Sequence, residues 1–359
     1  MKEITIIGAG NSGLAMASHL ALNGNTVRLW NRSPETIEKL HTTKCIHSHG
    51  IVEGDACLDL VTSDIRQGLS NSRLILVTTP ANSYDDLAKK MSPFLNADMF
   101  ISLNPGRTFG ALDFRNTLIR EGCKDLPTIA ETQTIIYTCR KLDPETVNII
   151  AFKKDVLISG INPSINTSLI QILPECLQGY FTPAKSMIQT SIGNVGMILH
   201  CAPVLMNSGW IENPQKAFKY YYEGITPTVA YFLEKLDNER IDVSRILGSP
   251  VESTAEWLKR SYNLEGNNLY ECIQNNESYK TIDAPTTLQH RYIFEDIPCG
   301  LVPLEAIGRR LGLSMKICGL VIDLASEMVD VDLRKTGRNI NRLGMENYSR
   351  EDIVKICGI

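Results

Sequence analysis

Apolar residues come in short runs closed by turn residues in the first half of the chain, and recur at helical spacing in much of the second. Lys2 to Ile7 is apolar on both faces from Ile4 onward, the pattern of a central strand in a parallel sheet. The period then changes. Leu14, Ala17, Ser18 and Ala21 fall at i, i+3, i+4 and i+7, one face of a helix with small residues for close packing. Asn23-Gly24-Asn25 ends that helix and TVRLW (26–30) reads as a second strand. RLILVTTPA (73–81) and Met99–Leu103 are further buried strands, and PTIAETQTIIYTCR (127–140) and DVLISGI (155–161) are expected to continue the sheet. After about residue 184 long helical patterns follow. Residues 216–247 predict one or two helices broken near Thr226-Pro227, and residues 302–329 a pair broken near Gly312. The expected fold is an α/β Rossmann-type dinucleotide-binding domain over residues 1–184, followed by an all-α C-terminal domain over 185–359.

The first strand-to-helix junction carries Gly8, Gly10 and Gly13 in the order G-x-G-x-x-G. Gly8 permits the tight turn, Gly10 lets backbone approach a pyrophosphate, and Gly13 lets the helix lie close on the sheet. Asn11 and Ser12 complete the first helical turn, whose free N–H groups suit phosphate. A complete βαβ unit around the motif makes a dinucleotide site the expectation rather than a bare turn. The second strand ends in Asn31-Arg32-Ser33, where NAD sites usually place a carboxylate for the ribose 2′-OH. Arg32 suits a 2′-phosphate and Ser33 adds a hydroxyl, so NADP is the expected cofactor and NAD the alternative. Thr79 and Pro80, and Asn104 and Gly106, follow later strands at the end where such sheets bind ligands.

Composition narrows the class. A hydrophobic content of 43% supports sizeable cores, and a net charge of −4 offers no field for nucleic acid or anionic membrane. The ten cysteines form no C-x-x-C pair, which argues for reduced thiols and against a structural zinc, so no metal is expected. No signal segment is legible, and no apolar run is expected to reach the ~20 residues that cross a bilayer. The expected setting is cytoplasmic.

Candidate chemistry in the second half sits in two segments. In SIGNVGMILHCAPVLMNSGWIE (191–212), His200 and Asn207 share one helix face if the helix survives Pro203, which should kink it or start a new segment. A histidine in such a setting is either a satisfied core residue or a proton carrier. HRYIFEDIPCGLVPLE (290–305) crowds Arg291, Glu295 and Asp296 among apolar residues, so partners must exist. Asp296 aimed at His200 would fix the imidazole tautomer, and Arg291 could grip a carboxylate, unless an Arg–Asp salt bridge is all they make. Glu131 and Thr132, where the chain should leave its strand, could hold a substrate cation or merely be solvated.

Together, GAGNSGLA, SLNPGRTFG, AETQTIIYTCR, GNVGMILHCAP with Asn207, KYYYEGITPTV with LDNER, and RYIFEDIP resemble the NAD/NADP octopine/nopaline (opine) dehydrogenases. The resemblance implies a Rossmann-type domain followed by an all-helical one. It implies reductive condensation, in which an amino acid amine and an α-keto acid give an imine that takes hydride from the nicotinamide. It also implies a catalytic His–Asp pair at His200 and Asp296, a keto-acid arginine at Arg291, and amino-acid contacts at Glu131 and Thr132, with Asn207 among the substrate-binding residues. The expected partners are therefore an amino acid and an α-keto acid, without nucleic acid or membrane, and a homodimer is a compatible assembly.

Two rivals remain at this level. Ketopantoate, 3-hydroxyisobutyrate and glycerol-3-phosphate dehydrogenases share the plan but generally use a helix-borne lysine, for which Lys185 is the nearby candidate. A non-catalytic NADP-binding regulatory protein would keep the glycines and Arg32 without needing His200, Arg291 and Asp296 together.

Overall fold

Ile4, Ile6 and Ile7 have no exposed surface, and Thr5 between them is satisfied by Gly68 O at 2.6 Å and the Ser72 hydroxyl at 2.7 Å. A strand buried on both faces needs neighbours on both sides, and the computed structural model, which describes residues 3–356, supplies them. Twelve strands occur in the described residues: β1 Glu3–Ile7, β2 Thr26–Trp30, β3 Cys45–Gly50, β4 Gly54–Cys57, β5 Leu60–Thr62, β6 Leu74–Val77, β7 Phe100–Leu103, β8 Thr128–Thr132, β9 Tyr137–Asp143, β10 Thr146–Phe152, β11 Val156–Gly160 and β12 Phe181–Pro183. The main sheet runs β12-β11-β8-β7-β6-β1-β2-β5. Its pairings are parallel except β11 against β8. The strand order reverses beside β1, which creates the crevice at the carboxyl ends of β1 and β6 where such sheets bind ligands.

A second sheet, β4-β3-β10-β9, corrects the expectation that 127–140 is one piece of the main sheet. The segment divides: β8 stays in the main sheet, while β9 turns away to pair antiparallel with β10. The helix Asn11–Leu22 packs against strands of both sheets, which is why Leu14 through Leu20 are buried all round rather than along one stripe.

The chain divides into two compact units, residues 1–106 with 110–190, and 107–109 with 191–359. The contact boundary thus falls at 190/191, where the sequence reading ended the first domain at 184, and a three-residue loop of the first half belongs to the second unit. That second unit is helical and has no strand among its described residues. The helix Pro227–Ile246 starts where Thr226 caps Val229 N, with proline in the first turn, where its missing N–H costs nothing. Residues 216–226, expected as helix, are turns instead, fixed by Tyr220 N donating to Ile282 O at 2.9 Å and Ala284 N to Phe218 O at 2.9 Å. The predicted break near Gly312 is present between helices Val302–Arg310 and Lys316–Val329.

The segment Met187–Met206 does reach the length and hydropathy of a membrane span, against expectation, but 83% of the 18-residue apolar stretch within it is buried. It is also interrupted, as the helices Met187–Ser191 and Gly196–Met206.

Candidate active site

The glycine-rich turn leaves β1 with Gly8 at φ +108°, a conformation open to glycine at little cost. A Cβ on Gly13 would lie 1.8 Å from Gly8 O, so Gly13 is required for the helix to meet the turn. A Cβ on Gly10 would meet no protein atom within 4 Å; nothing in the protein itself demands glycine there. The helix it opens has no side-chain cap, so its first N–H groups face the turn. A pocket of ≈ 470 Å³ lies over this end of the sheet, lined by Gly8, Gly10, Asn11, Arg32, Thr79 and Lys141 among others.

Asn31, Ser33 and Pro80 also line it, whereas Ser12, Gly13, Asn104 and Gly106 do not. Ser12 lies beside the Cys139 thiol instead. Asn104 is buried and donates to Ser102 O at 2.8 Å, and a Cβ on Gly106 would collide with Glu131. Asn31 shapes the pocket from inside: its Oδ1 accepts from Ala9 N at 3.1 Å and its Nδ2 donates to Ser33 O at 3.1 Å. Ser33 precedes a helix without capping it by its side chain. Arg32 is largely exposed and only loosely paired, 3.9 Å from Asp86. No carboxylate ends β2, the position where a ribose diol is usually held.

Lys141 was not foreseen as part of this pocket. It arrives on β9, where its N–H donates to Asn11 Oδ1 at 2.8 Å and its Nζ to Ala9 O at 3.2 Å. Burial lowers its ammonium pKa, with Asp143 opposing. β9 was not resolved as a separate strand in the sequence, so nothing pointed its lysine at the turn.

Glu131 and Thr132 are fully buried. Glu131 accepts from Ala111 N at 2.9 Å and from the Thr190 hydroxyl at 2.9 Å, at the start of the helix Gly110–Arg120, where a carboxylate is favoured. Thr132 donates to Leu103 O at 3.4 Å. Neither is solvated, as one reading of the sequence had it; both side chains are hydrogen-bonded inside the first unit.

In the second unit His200 and Asp296, ninety-six positions apart, meet: His200 Nδ1 is 2.9 Å from Asp296 Oδ2. The helix Gly196–Met206 continues through Pro203, so no new segment starts there. Tyr220 serves the carbonyls beside it. Its hydroxyl lies 3.4 Å from Leu199 O, the oxygen Pro203 cannot serve, and donates at 2.6 Å to His200 O. Tyr292 stacks on the His200 ring, centroids 4.0 Å apart and planes 13° from parallel. The imidazole is thereby fixed in plane and in direction.

Arg107 completes the cluster, and the sequence reading missed it. Its Nη1 is 2.6 Å from Asp296 Oδ1 and 3.0 Å from Asn194 Oδ1, and its Nε is 3.3 Å from Glu295 Oε1. Arg107 and Phe109 both have positive φ, +59° and +57°, and the loop that carries them is further tied by Thr108 N to Cys299 O at 3.1 Å. Burial works to raise the Asp296 pKa; the charges of Arg107 and His200 outweigh it and hold the carboxyl down at about 2. An ionised carboxylate only accepts, so Nδ1 carries the proton and Nε2 is left for acid–base work.

Arg291 lies 2.9 Å through Nε from Glu295 Oε2, with about half of its side chain exposed at 49%. Asn207 uses its amide on Pro203 O at 2.8 Å and Gly224 O at 2.9 Å, closing the helix end rather than extending a free amide. Lys185 is exposed, and its backbone N–H is held by Gln189.

A parallel sheet with a glycine-rich pocket, and a helical unit with a buried carboxylate–imidazole couple, define a nicotinamide-dependent dehydrogenase of two-unit build. The family model of the NAD/NADP octopine/nopaline dehydrogenase alpha-helical domain matches residues 183–329. That of the NAD-dependent glycerol-3-phosphate dehydrogenase N-terminus matches 3–141. An opine dehydrogenase of Arthrobacter sp. (strain 1C) is 34% identical over 98% of this chain and 98% of its own. The protein ocs of Agrobacterium vitis is 25% identical over 99% of both. A solved structure of octopine dehydrogenase in complex with NADH and agmatine has a TM-score of 0.80 at 19% identity, covering 99% of this chain and 98% of that one. Yersinopine dehydrogenase with NADP+ bound has a TM-score of 0.75 at 14% identity, covering 99% and 98%. The chain belongs to the opine dehydrogenase family. It is an NAD(P)-dependent oxidoreductase acting on CH–NH groups.

Proposed function

We propose that His200 is the acid–base group of a reductive condensation between an amino acid and an α-keto acid, positioned by Asp296 and, through it, by Arg107. The amine adds to the ketone carbonyl, water leaves, and the imine, protonated at nitrogen, gains a hydride at carbon to give the secondary amine. Bound in the glycine-rich pocket, the reduced nicotinamide supplies that hydride. His200 Nε2 takes the proton released as the amine adds and returns one to the departing hydroxyl. Such help is worth ~10²–10⁴-fold. Asp296 stabilises the imidazolium at each protonated stage, and because Arg107 neutralises its second oxygen, it stays ionised while doing so.

Arg291 is the residue we assign to the keto-acid carboxylate. Glu295 holds its Nε and the side chain remains half exposed, which leaves guanidinium donors for a bidentate grip. For the cofactor we assign Arg32 and Ser33 to a 2′-phosphate, and Lys141 with the first helical turn to the pyrophosphate, giving a preference for NADPH over NADH. The observation that carries the reading is the 2.9 Å contact between His200 Nδ1 and Asp296 Oδ2.

The test is a matrix of α-keto acids against amino acids, followed by NADPH absorbance. Oxidation that needs both partners is expected. Oxidation with a keto acid alone would replace this reading by simple keto-acid reduction, and no oxidation with any pair would favour a regulatory NADP-binding role.

A further inference from the structure

The β3–β4 hairpin of the first unit places four metal-binding side chains on one outward face. Its register sets Cys45 opposite Cys57, Ile46 opposite Ala56, and His47 opposite Asp55. One position earlier, Leu58 N donates to Lys44 O at 2.8 Å, which marks residues 44 and 58 as a hydrogen-bonded pair. The alternation of an antiparallel ladder then makes 45/57 and 47/55 the non-hydrogen-bonded pairs, whose side chains stand closer together. The two-residue period puts both pairs on the same face, while Ile46, Ser48 and Ala56 are buried on the other.

The side chains do converge. One donor atom each from Cys45, His47 and Asp55 lies within 4.8 Å of the others. His47 Nδ1 is 2.6 Å from Asp55 Oδ1, and Cys57 stands directly opposite Cys45 in the register. We propose that Cys45, His47, Asp55 and Cys57 form a binding site for a divalent cation of zinc type. Two thiols, an imidazole and a carboxylate are the tetrahedral donor set of such ions, and a poor one for magnesium or calcium, which take oxygen. Glu145 stands beside the cluster on the neighbouring strand side, engaged by Lys39 and Thr43. The absence of C-x-x-C spacing, read above as evidence against zinc, concerns ligands adjacent along the chain; here adjacency comes from strand pairing. Binding displaces a proton from each thiol, so affinity rises with pH.

The test uses the full chain kept reduced, with Co2+ as the spectroscopic probe and Zn2+ as competitor. A thiolate-to-cobalt charge-transfer band in the near ultraviolet is expected to saturate at about one equivalent and to disappear as Zn2+ is added. The Cys45→Ser/Cys57→Ser variant should lose the band, and His47→Ala should weaken binding by about tenfold or more. Circular dichroism and NADPH turnover should stay at wild-type levels in both, because no residue of the cofactor pocket or the His200 cluster is touched. Absence of the band in wild type would overturn the site, as would its persistence in the double-serine variant. So would closure of a Cys45–Cys57 disulfide under these conditions with Zn2+ left unbound.

Discussion

The two units build their chemistry from different materials. The cofactor pocket is made largely of backbone: a glycine turn, the first turn of a helix and two strand ends, with Arg32 and Lys141 as its cations. The His200 cluster is made of buried charge: Asp296, Glu295 and Arg107 have almost no exposed surface, and Arg107 pairs with both carboxylates, which His200 and Arg291 also engage. A backbone site tolerates single side-chain changes with graded losses. A buried ionic cluster does not, because removing one member strands the rest without solvent.

The largest effect should follow from taking out the proton carrier. His200→Ala is expected to lower kcat by ~10²–10⁴-fold, while NADPH binding followed by fluorescence stays as in wild type; wild-type turnover would remove His200 from the mechanism. Next comes Arg107→Met, which leaves Asp296 and Glu295 buried with their common partner gone. A loss of ~3–5 kcal/mol in urea unfolding is expected, and a loss below that of an ordinary surface change would mean the cluster is not interdependent. Glu131→Ala should cost less, about 1–3 kcal/mol for the unmade bonds to Ala111 N and Thr190. It should leave the Michaelis constant for the amino acid unchanged; a selective rise in that constant would return Glu131 to the substrate. The smallest effect belongs to the exposed cation: Arg32→Ser should reduce the NADPH-to-NADH affinity ratio by about tenfold, and an unchanged ratio would break the assignment of the 2′-phosphate.

The same contrast explains what could be read from the chain. The turn at Gly8, Gly10 and Gly13 is local: strand, glycines and helix follow one another, and their period and spacing suffice. β3 and β4 were missed because CIHSHG and GDAC carry few apolar residues; a strand whose outer face is polar and whose inner face is Ile46, Ser48 and Ala56 leaves a faint periodic signal. Lys141 escaped for the same reason, as its position depends on how β9 leaves the main sheet. In the second unit, the residues alone offered the meeting of His200 with Asp296 only as buried charge in need of a partner, and it was the family resemblance that implied the pair. Arg107 was not legible at all. It stands in a turn, NPGRT, whose composition suggests loop backbone, and only the tertiary fold turns its side chain toward Asn194, Glu295 and Asp296.

The most direct measurement is the turnover of Asp296→Asn, an isosteric change that keeps the shape of the couple and removes its charge. With saturating keto acid, amino acid and NADPH, kcat should fall by ~10²–10⁴-fold, the loss expected when an imidazole is released into the wrong tautomer, while NADPH affinity stays close to wild type and the circular dichroism of the folded protein is retained. Turnover within a few-fold of wild type would mean that the carboxylate at 2.9 Å from His200 only supports the fold, and that proton transfer is carried elsewhere.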